Sequence, residues 1–462
     1  MPNKIAIALL LLLSLGVLYG YAQVAPDNAA AVAPAAPEKP APAAYRVGLA
    51  QVDITPDPST MAIPLNGYGD RGRKPATGVL DPLYAKALVV ADPAGNLLGV
   101  VALDLCFVNS EVHDTVVERL KPLGFDEHHL LLSATHTHSA YAGYDRRWIA
   151  RKAMGEFNPQ LFELVVRGIV SAVTAAKQNL RPAAIEYGYS DLKEMNRSRR
   201  DPSFDVGIGG MPPDIKPNPE KYPTNPRLYI LRFTGADGRI LGALVNYASH
   251  PTILSPKNFK FSADWPGVMC GRVQEKLGPG SVVMFLNGAL GDAAPKPDWA
   301  DLDQEIKQFH EYGAQMADNV RQTLEHLQPM SKQVVDGFVA RRDVSNVIVR
   351  PLCRLWLPRW ITKIAFLRPD APVQAVRLGD FMLLALPGEP TTAVGKMMEN
   401  LAPAGSIPLV VAPANDYYGY FVTKTEYAEG GYAADSCLYG PDTAQKFADV
   451  MATAIGVLQT SR

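Results

Sequence analysis

Cysteine is scarce in this chain. Four residues (Cys106, Cys270, Cys353 and Cys437) lie far apart among 462, with no CxxC pair. That excludes a disulfide-dense scaffold and a cysteine-based zinc knuckle, and leaves room only for one or two disulfides whose pairing the spacing does not specify. Net charge is also lacking: 45 basic side chains face 46 acidic ones, so no long-range field exists to hold a polyanion, and nucleic acid is excluded as a partner on charge grounds. After the N-terminus no apolar run approaches membrane-span length, and no internal repeat is visible. Histidine is thin as well, at 8 residues, so the places where histidines cluster carry information. What is present is apolar: 47% hydrophobic residues are ample for a core and exclude a largely disordered chain.

Lys4 precedes an apolar run from Ile5 to Val17 that ends in Gly20-Tyr21-Ala22. This is the layout of a secretory signal over 1–22, cleaved near Ala22–Gln23; an uncleaved anchor is the alternative, since the stretch is at the lower edge of a span. Residues 23–44, rich in Ala and Pro, read as an extended linker. The expected location is therefore exported, periplasmic or secreted.

From Tyr45 to the end, strand-like and helix-like segments alternate without a break. Strands are expected at 84–91, 97–104, 129–134, 227–233, 239–247, 281–286, 373–378 and 381–386, and helices at 158–178, 304–326 and 390–401. The fold class is α/β: mixed central β-sheets covered by helices, in one large catalytic domain over 45–462. Two stretches interrupt the pattern. Residues 196–226 form a long polar loop of the kind that is usually functional. Residues 350–368 combine Arg350, Arg354, Arg359, Lys363 and Arg368 with Trp356, Trp360 and Phe366. They suit either a peripheral membrane contact or a helix packed on the body with snorkelling arginines.

The strongest chemical signal is Ser133-Ala134-Thr135-His136-Thr137-His138-Ser139, directly after an apolar strand. An extended His-x-His directs both imidazoles to one face, but alone the motif is weak. Three further strand ends strengthen it: Asn246–Thr252 with His250, Asn287–Pro295, and Leu386–Thr392 with Glu389. An acid at a helix start can simply stabilise the dipole. Strand ends converging on one sheet edge are, however, where α/β enzymes collect ligands, and two histidines with one glutamate suit zinc hydrolysis.

The ordered series Val47–Thr55, Gly67-Tyr68-Gly69, SATHTHS, Met195-Asn196-Arg197-Ser198, NYASHPT, LNGALGDAAP, LPGEPTT, Asn415–Tyr420, Thr425-Glu426-Tyr427, Tyr432 and Leu438–Pro441 resembles the neutral (non-lysosomal, zinc-dependent) ceramidase family in its N-terminal catalytic domain. The resemblance implies Zn2+ held by His136, His250, Glu389 and Tyr420. It implies His138 at the reaction centre, Arg197 and Tyr432 on the substrate's head region, and Gly67, Tyr68 and the position of Ala294 lining the substrate. Departures accompany it. Ala294 stands where the ceramidases carry a serine beside the metal, Ala140–Tyr144 replace a Gly/Pro-rich tail, and no C-terminal immunoglobulin-like domain is expected. Asp104, Asp264 and Asp292 are candidates to fix ligand tautomers, or else to cap helices or bind backbone amides.

The implied activity is metal-assisted hydrolysis of an amide in an N-acylated, lipid-like small molecule, with no protein partner implied. The alternatives are a zinc esterase or lactonase on the same scaffold, a peptide amidase, and a catalytically inactive zinc-containing module that binds lipid or glycan.

Overall fold

The computed structural model describes residues 45–204, 216–344, 347–349, 355–357 and 370–460. The expectations for the signal segment, the linker and most of 350–368 lie outside these residues, apart from a three-residue strand at Leu355–Leu357.

Twelve longer strands build two sheets. The larger carries β1 (Arg46–Asp53), β2 (Tyr84–Ala91), β3 (Leu97–Leu103), β4 (Leu130–Ala134), β5 (Arg181–Asp191), β6 (Arg227–Gly235), β7 (Ile240–Tyr247) and β8 (Val282–Asn287) in the order β8-β7-β6-β5-β1-β2-β3-β4. The smaller carries β9 (Val335–Asp343), β10 (Asp370–Leu378), β11 (Phe381–Ala385) and β12 (Ile407–Val411) in chain order. Helices α1 (Ser110–Leu120), α2 (Pro159–Gln178), α3 (Asp264–Leu277), α4 (Leu302–Thr323), α5 (Thr392–Glu399) and α6 (Thr443–Thr460) connect them.

Although no repeat shows in the sequence, the topology recurs three times. Each unit is an antiparallel three-strand meander, a helix, a fourth strand parallel to the third, and a closing helix: β1-β2-β3-α1-β4-α2, β5-β6-β7-α3-β8-α4 and β9-β10-β11-α5-β12-α6. The first two units join edge to edge through the β1–β5 pairing. The parallel pair in each unit requires a crossover helix, which is why α1, α3 and α5 sit where they do.

The inner faces of the two sheets share one core, in which Val47, Leu88 and Leu231 meet Val376, Phe381 and Leu409. Outside them α1 and α2 pack over the first unit, α3 and α4 over the second, and α5 and α6 over the third. Among the described residues α2 is the one helix long and apolar enough to cross a membrane, contrary to the expectation from the sequence. Its apolar stripe, Leu161, Val165, Ile169, Ala172 and Val173, is buried in the core over the first unit, as befits a core helix of a layered fold.

Cys106, Cys270 and Cys437 are buried free thiols.

Candidate metal centre

Each repeat ends its third or fourth strand at the same edge, and the chemistry collects there. His136 follows β4 by two residues, His250 follows β7 by three, and Glu389 follows β11 by four. His136 adopts φ +71°, a left-handed conformation costly for a residue with a Cβ, and strain of this kind persists only where surrounding bonds fix it. Here its N–H donates to the Leu105 carbonyl at 2.9 Å and its Nδ1–H to the Cys106 carbonyl at 2.6 Å. His250 is held in the same manner, with its N–H donating to Ala293 O at 2.9 Å and Nδ1–H to the same carbonyl at 3.0 Å. Both rings therefore carry a proton on Nδ1 and turn Nε2 inward.

Between the loops sits Asn287, the last residue of β8, buried completely; its amide donates to Thr135 O at 3.0 Å and Ser249 O at 2.8 Å. This one side chain ties the two histidine loops together.

Glu389 receives both. Its Oε1 lies 3.4 Å from His136 Nε2, its Oε2 3.0 Å from His250 Nε2, and all three side chains are buried. The helix dipole reading of Glu389 does not hold: the N-cap of α5 is Thr391, and the glutamate faces the histidines instead. Burial disfavours every charge here, yet the His136 and His250 rings hold the Glu389 carboxyl well below its usual range. Against the same burial, Glu389 pushes His136 well above the ordinary imidazole value. Burial and the nearby Arg199 push His250 down to about 4. The His250 Nε2 lies 3.0 Å from a carboxylate oxygen of Glu389 and 2.9 Å from Arg199 Nη1. The ligating atoms of His136, His250 and Glu389 lie within 4.8 Å of one another, close enough for one cation to gather them. The donor set, two imidazoles and a carboxylate, fits a borderline divalent ion.

Tyr420 pairs with Glu389 across a short parallel ladder, and its hydroxyl lies 3.4 Å from Arg199 Nη1. Tyr417, which the sequence reading included in a motif without a role, donates its hydroxyl to Glu389 Oε1. Burial, then the adjacent Glu389, pushes both phenols well above their usual range.

His138 stands beside this group, with Nε2 3.2 Å from His136 Nε2. Burial, then His136 and His250, drives its pKa well below the ordinary value, so it is neutral. Gly67 and Tyr68, expected to line the substrate, brace this ring. Gly67 has φ +95°, and a Cβ there would stand 2.4 Å from the His138 ring, so only glycine fits. Tyr68 packs edge-on to His138 at 4.6 Å and donates to Leu254 O at 3.0 Å.

Arg197 and Ala294 are opposed in a three-residue antiparallel ladder. Arg197 pairs with Asp298 at 2.5 Å. The arginine that reaches the cluster is Arg199, with Nη1 2.9 Å from His250 Nε2 and the guanidinium 5.3 Å from the centre of the Tyr432 ring. Tyr432 is itself 56% exposed and edge-on to Tyr420 at 5.4 Å, at the open side of the site.

The three aspartates take the capping and packing roles. Asp104 pairs with Lys86 at 3.8 Å, Asp264 accepts the Leu254 and Trp265 amides, and Asp292 accepts Thr392 N and Oγ1. Backbone carbonyls, not carboxylates, fix the His136 and His250 tautomers. Sequence reasoning missed Arg199, Asn287 and Tyr417; the run of three arginines at 197, 199 and 200 was the available signal for the first.

The sequence pattern of the neutral/alkaline non-lysosomal ceramidase N-terminal domain matches residues 45–345 and 359–449. Neutral ceramidase of Pseudomonas aeruginosa is 25% identical over 86% of this chain and 70% of its own length. That of Mycobacterium tuberculosis is 23% identical over 85% and 74%. The crystal structure of the Pseudomonas aeruginosa enzyme superposes with TM-score 0.77 at 24% identity, covering 90% of this chain and 75% of that one. The two sheets, the strand-end histidines and the matched domain lead to one assignment: the chain belongs to the neutral/alkaline non-lysosomal ceramidase family.

Proposed function

We propose that the protein is a zinc-dependent hydrolase that cleaves the amide bond of an N-acylated, lipid-like substrate, with His136, His250, Glu389 and Tyr420 as the ligand set. The observation that carries this reading is the convergence of two Nδ1-protonated histidines and one carboxylate from three strand ends. A solved ceramidase of the same fold, TM-score 0.78, is described as complexed with C2, which supports a small lipid-like substrate.

A divalent ion held by His136, His250, Glu389 and Tyr420 would supply Lewis acidity at the scissile carbonyl and make water at the site a stronger nucleophile. The protein's own groups do the rest. Neutral His138 has an N–H to donate to the carbonyl oxygen as negative charge grows on it, a contribution of roughly 3–4 kcal/mol for a well-placed donor. Tyr417 holds one Glu389 oxygen by its hydroxyl and so orients the carboxylate. Water oxygen adds to the carbonyl carbon, the C–N bond breaks, and the water proton ends on the departing amine. No protein nucleophile is needed, so Ala294 does not preclude the chemistry.

Ala294 also favours a second reading, an inactive zinc-containing module that binds lipid or glycan. Assays of N-acyl lipids, N-acyl amino acids, esters and peptides separate the two, with His136→Ala as control. Turnover of an amide that vanishes in the variant supports the hydrolase. Stoichiometric zinc without turnover supports the module, and preferential turnover of esters an esterase or lactonase. Export through 1–22 and lipid contact through 350–368 complete the proposal. Cell fractionation and liposome flotation of the full chain test them.

A further inference from the structure

Three arginines crowd the short strand and turn at 197–200, and they are not equivalent. Arg197 is paired with Asp298 at 2.5 Å. Arg200 is paired with Glu429 at 2.5 Å and Glu426 at 3.6 Å. Arg199 has no carboxylate within ion-pair distance among the described residues; its partners are the His250 ring, the Tyr420 hydroxyl and the Tyr432 face. Its backbone is anchored, N–H to Asp292 O at 2.6 Å, so the guanidinium is held at this place rather than swinging on a loose loop.

The His250 contact is also incompatible with the ligand role. A single Nε2 lone pair cannot accept from Arg199 and bind an ion at once, so with the centre loaded the guanidinium needs another acceptor. It borders a cavity of about 390 Å3 shared with Lys221, Tyr222 and Tyr432. The two acids that line this space are already engaged, Asp292 by Thr392 and Glu429 by Arg200. The cavity therefore offers a half-buried cation beside the reaction centre with no carboxylate at ion-pair distance among the described residues. The nearby Glu389, which favours its charge, is committed to the proposed ligand set, so a neutral head group would leave the guanidinium without a partner.

We propose that Arg199 is a specificity-determining residue that binds a carboxylate on the carbon attached to the scissile nitrogen, so that the preferred substrates are N-acyl amino acids. Its Nη1 is 2.9 Å from a ligating nitrogen, so the anion it holds must lie within a bond or two of the hydrolysed group. An α-carboxylate meets that condition; a phosphate on a longer arm would overshoot. The planar fork of arginine matches a carboxylate in two parallel hydrogen bonds.

The inference rests on the hydrolytic reading, and the test separates their failures. N-lauroylglycine and its neutral counterpart N-lauroylglycinamide are compared in two ways: kcat/KM with the zinc-loaded chain, and Kd by calorimetry with the metal-free chain. The expected result is a preference of at least tenfold for the acid in kcat/KM, and a smaller preference in the same sense in Kd, because in the metal-free chain the His250 ring competes for the guanidinium. Arg199→Gln brings the ratio close to one, and Arg199→Lys restores part of it. Equal values for the two ligands in the parent, or a preference that survives in Arg199→Gln, overturn the inference. If neither compound is hydrolysed, the hydrolytic reading falls while the calorimetric ratio still decides the role of Arg199. Thermal melts of each variant show whether the fold is retained.

Discussion

The ligand cage and the rim of its cavity lie a few ångströms apart and are built differently. The cage is made at strand ends, with His136, His250 and Glu389 buried and each histidine fixed by a backbone carbonyl. The rim is made of a short strand and turns: Arg197 to Arg200, the segment around Tyr222, and Gly430-Gly431-Tyr432, with Tyr432 facing solvent and Arg197 and Arg200 drawn into ion pairs. Geometry at a strand end is set by the sheet, so it tolerates little change. Geometry on a turn is set by local residues and can be rewritten without disturbing the core. On that difference, changes at the rim should alter substrate preference, whereas changes in the cage should remove the ion.

The largest expected break in the comparison comes from the cage itself. Glu389→Gln should reduce amide hydrolysis by about 10³-fold or more, as expected when a metal ligand is removed, with metal content falling in parallel by atomic absorption. A variant that keeps both would place the chemistry elsewhere.

Next in size is Asn287→Ala. It removes the link between the histidine loops and strands two buried carbonyls, so a loss of about 2–3 kcal/mol in denaturant stability is expected. Metal affinity should weaken by roughly 10–100-fold, as for other groups that orient ligands. Unaltered affinity would show that the loops hold their shape alone.

Gly67→Ala acts between cage and rim. The positive φ costs about 1–3 kcal/mol, and the new Cβ presses on the His138 ring, so kcat should fall while metal content is retained. Loss of metal in this variant would mean that His138 is part of the cage.

The smallest effect is electrostatic. Burial, then the nearby Glu426, raises the Asp292 carboxyl to about 6. The folded chain therefore binds this proton more tightly than the unfolded chain, and the associated stability is lost as pH rises from about 4 through 6. Asp292→Asn removes that slope, so its Tm relative to the parent should improve between pH 4 and pH 6 and level off above it. A difference independent of pH would show that the carboxyl titrates normally.

The strands that sequence made legible are runs such as Tyr84–Ala91 and Val282–Asn287, buried on both faces and rich in Val and Leu. β5 escaped because its exposed positions break the apolar run, and α3 because Pro266, Gly267 and Gly271 dilute its helical pattern. The threefold topology left only one visible trace, His250-Pro251-Thr252 and Glu389-Pro390-Thr391 at matching strand ends. Packing direction rather than residue identity is what recurs. The cluster of His136, His250 and Glu389 was legible because histidine is rare and strand ends are recognisable. Arg199 was not, because choosing between arginines two residues apart depends on which turn each occupies.

The most direct test of the metal-centred account is parallel measurement of zinc content and amide hydrolysis as the ion is removed by chelation and restored by titration. The account predicts one ion per chain, with activity lost and regained in proportion to occupancy in the parent and absent at all zinc levels in His136→Ala. Hydrolysis that persists in the metal-free chain, or survives in His136→Ala, would contradict it.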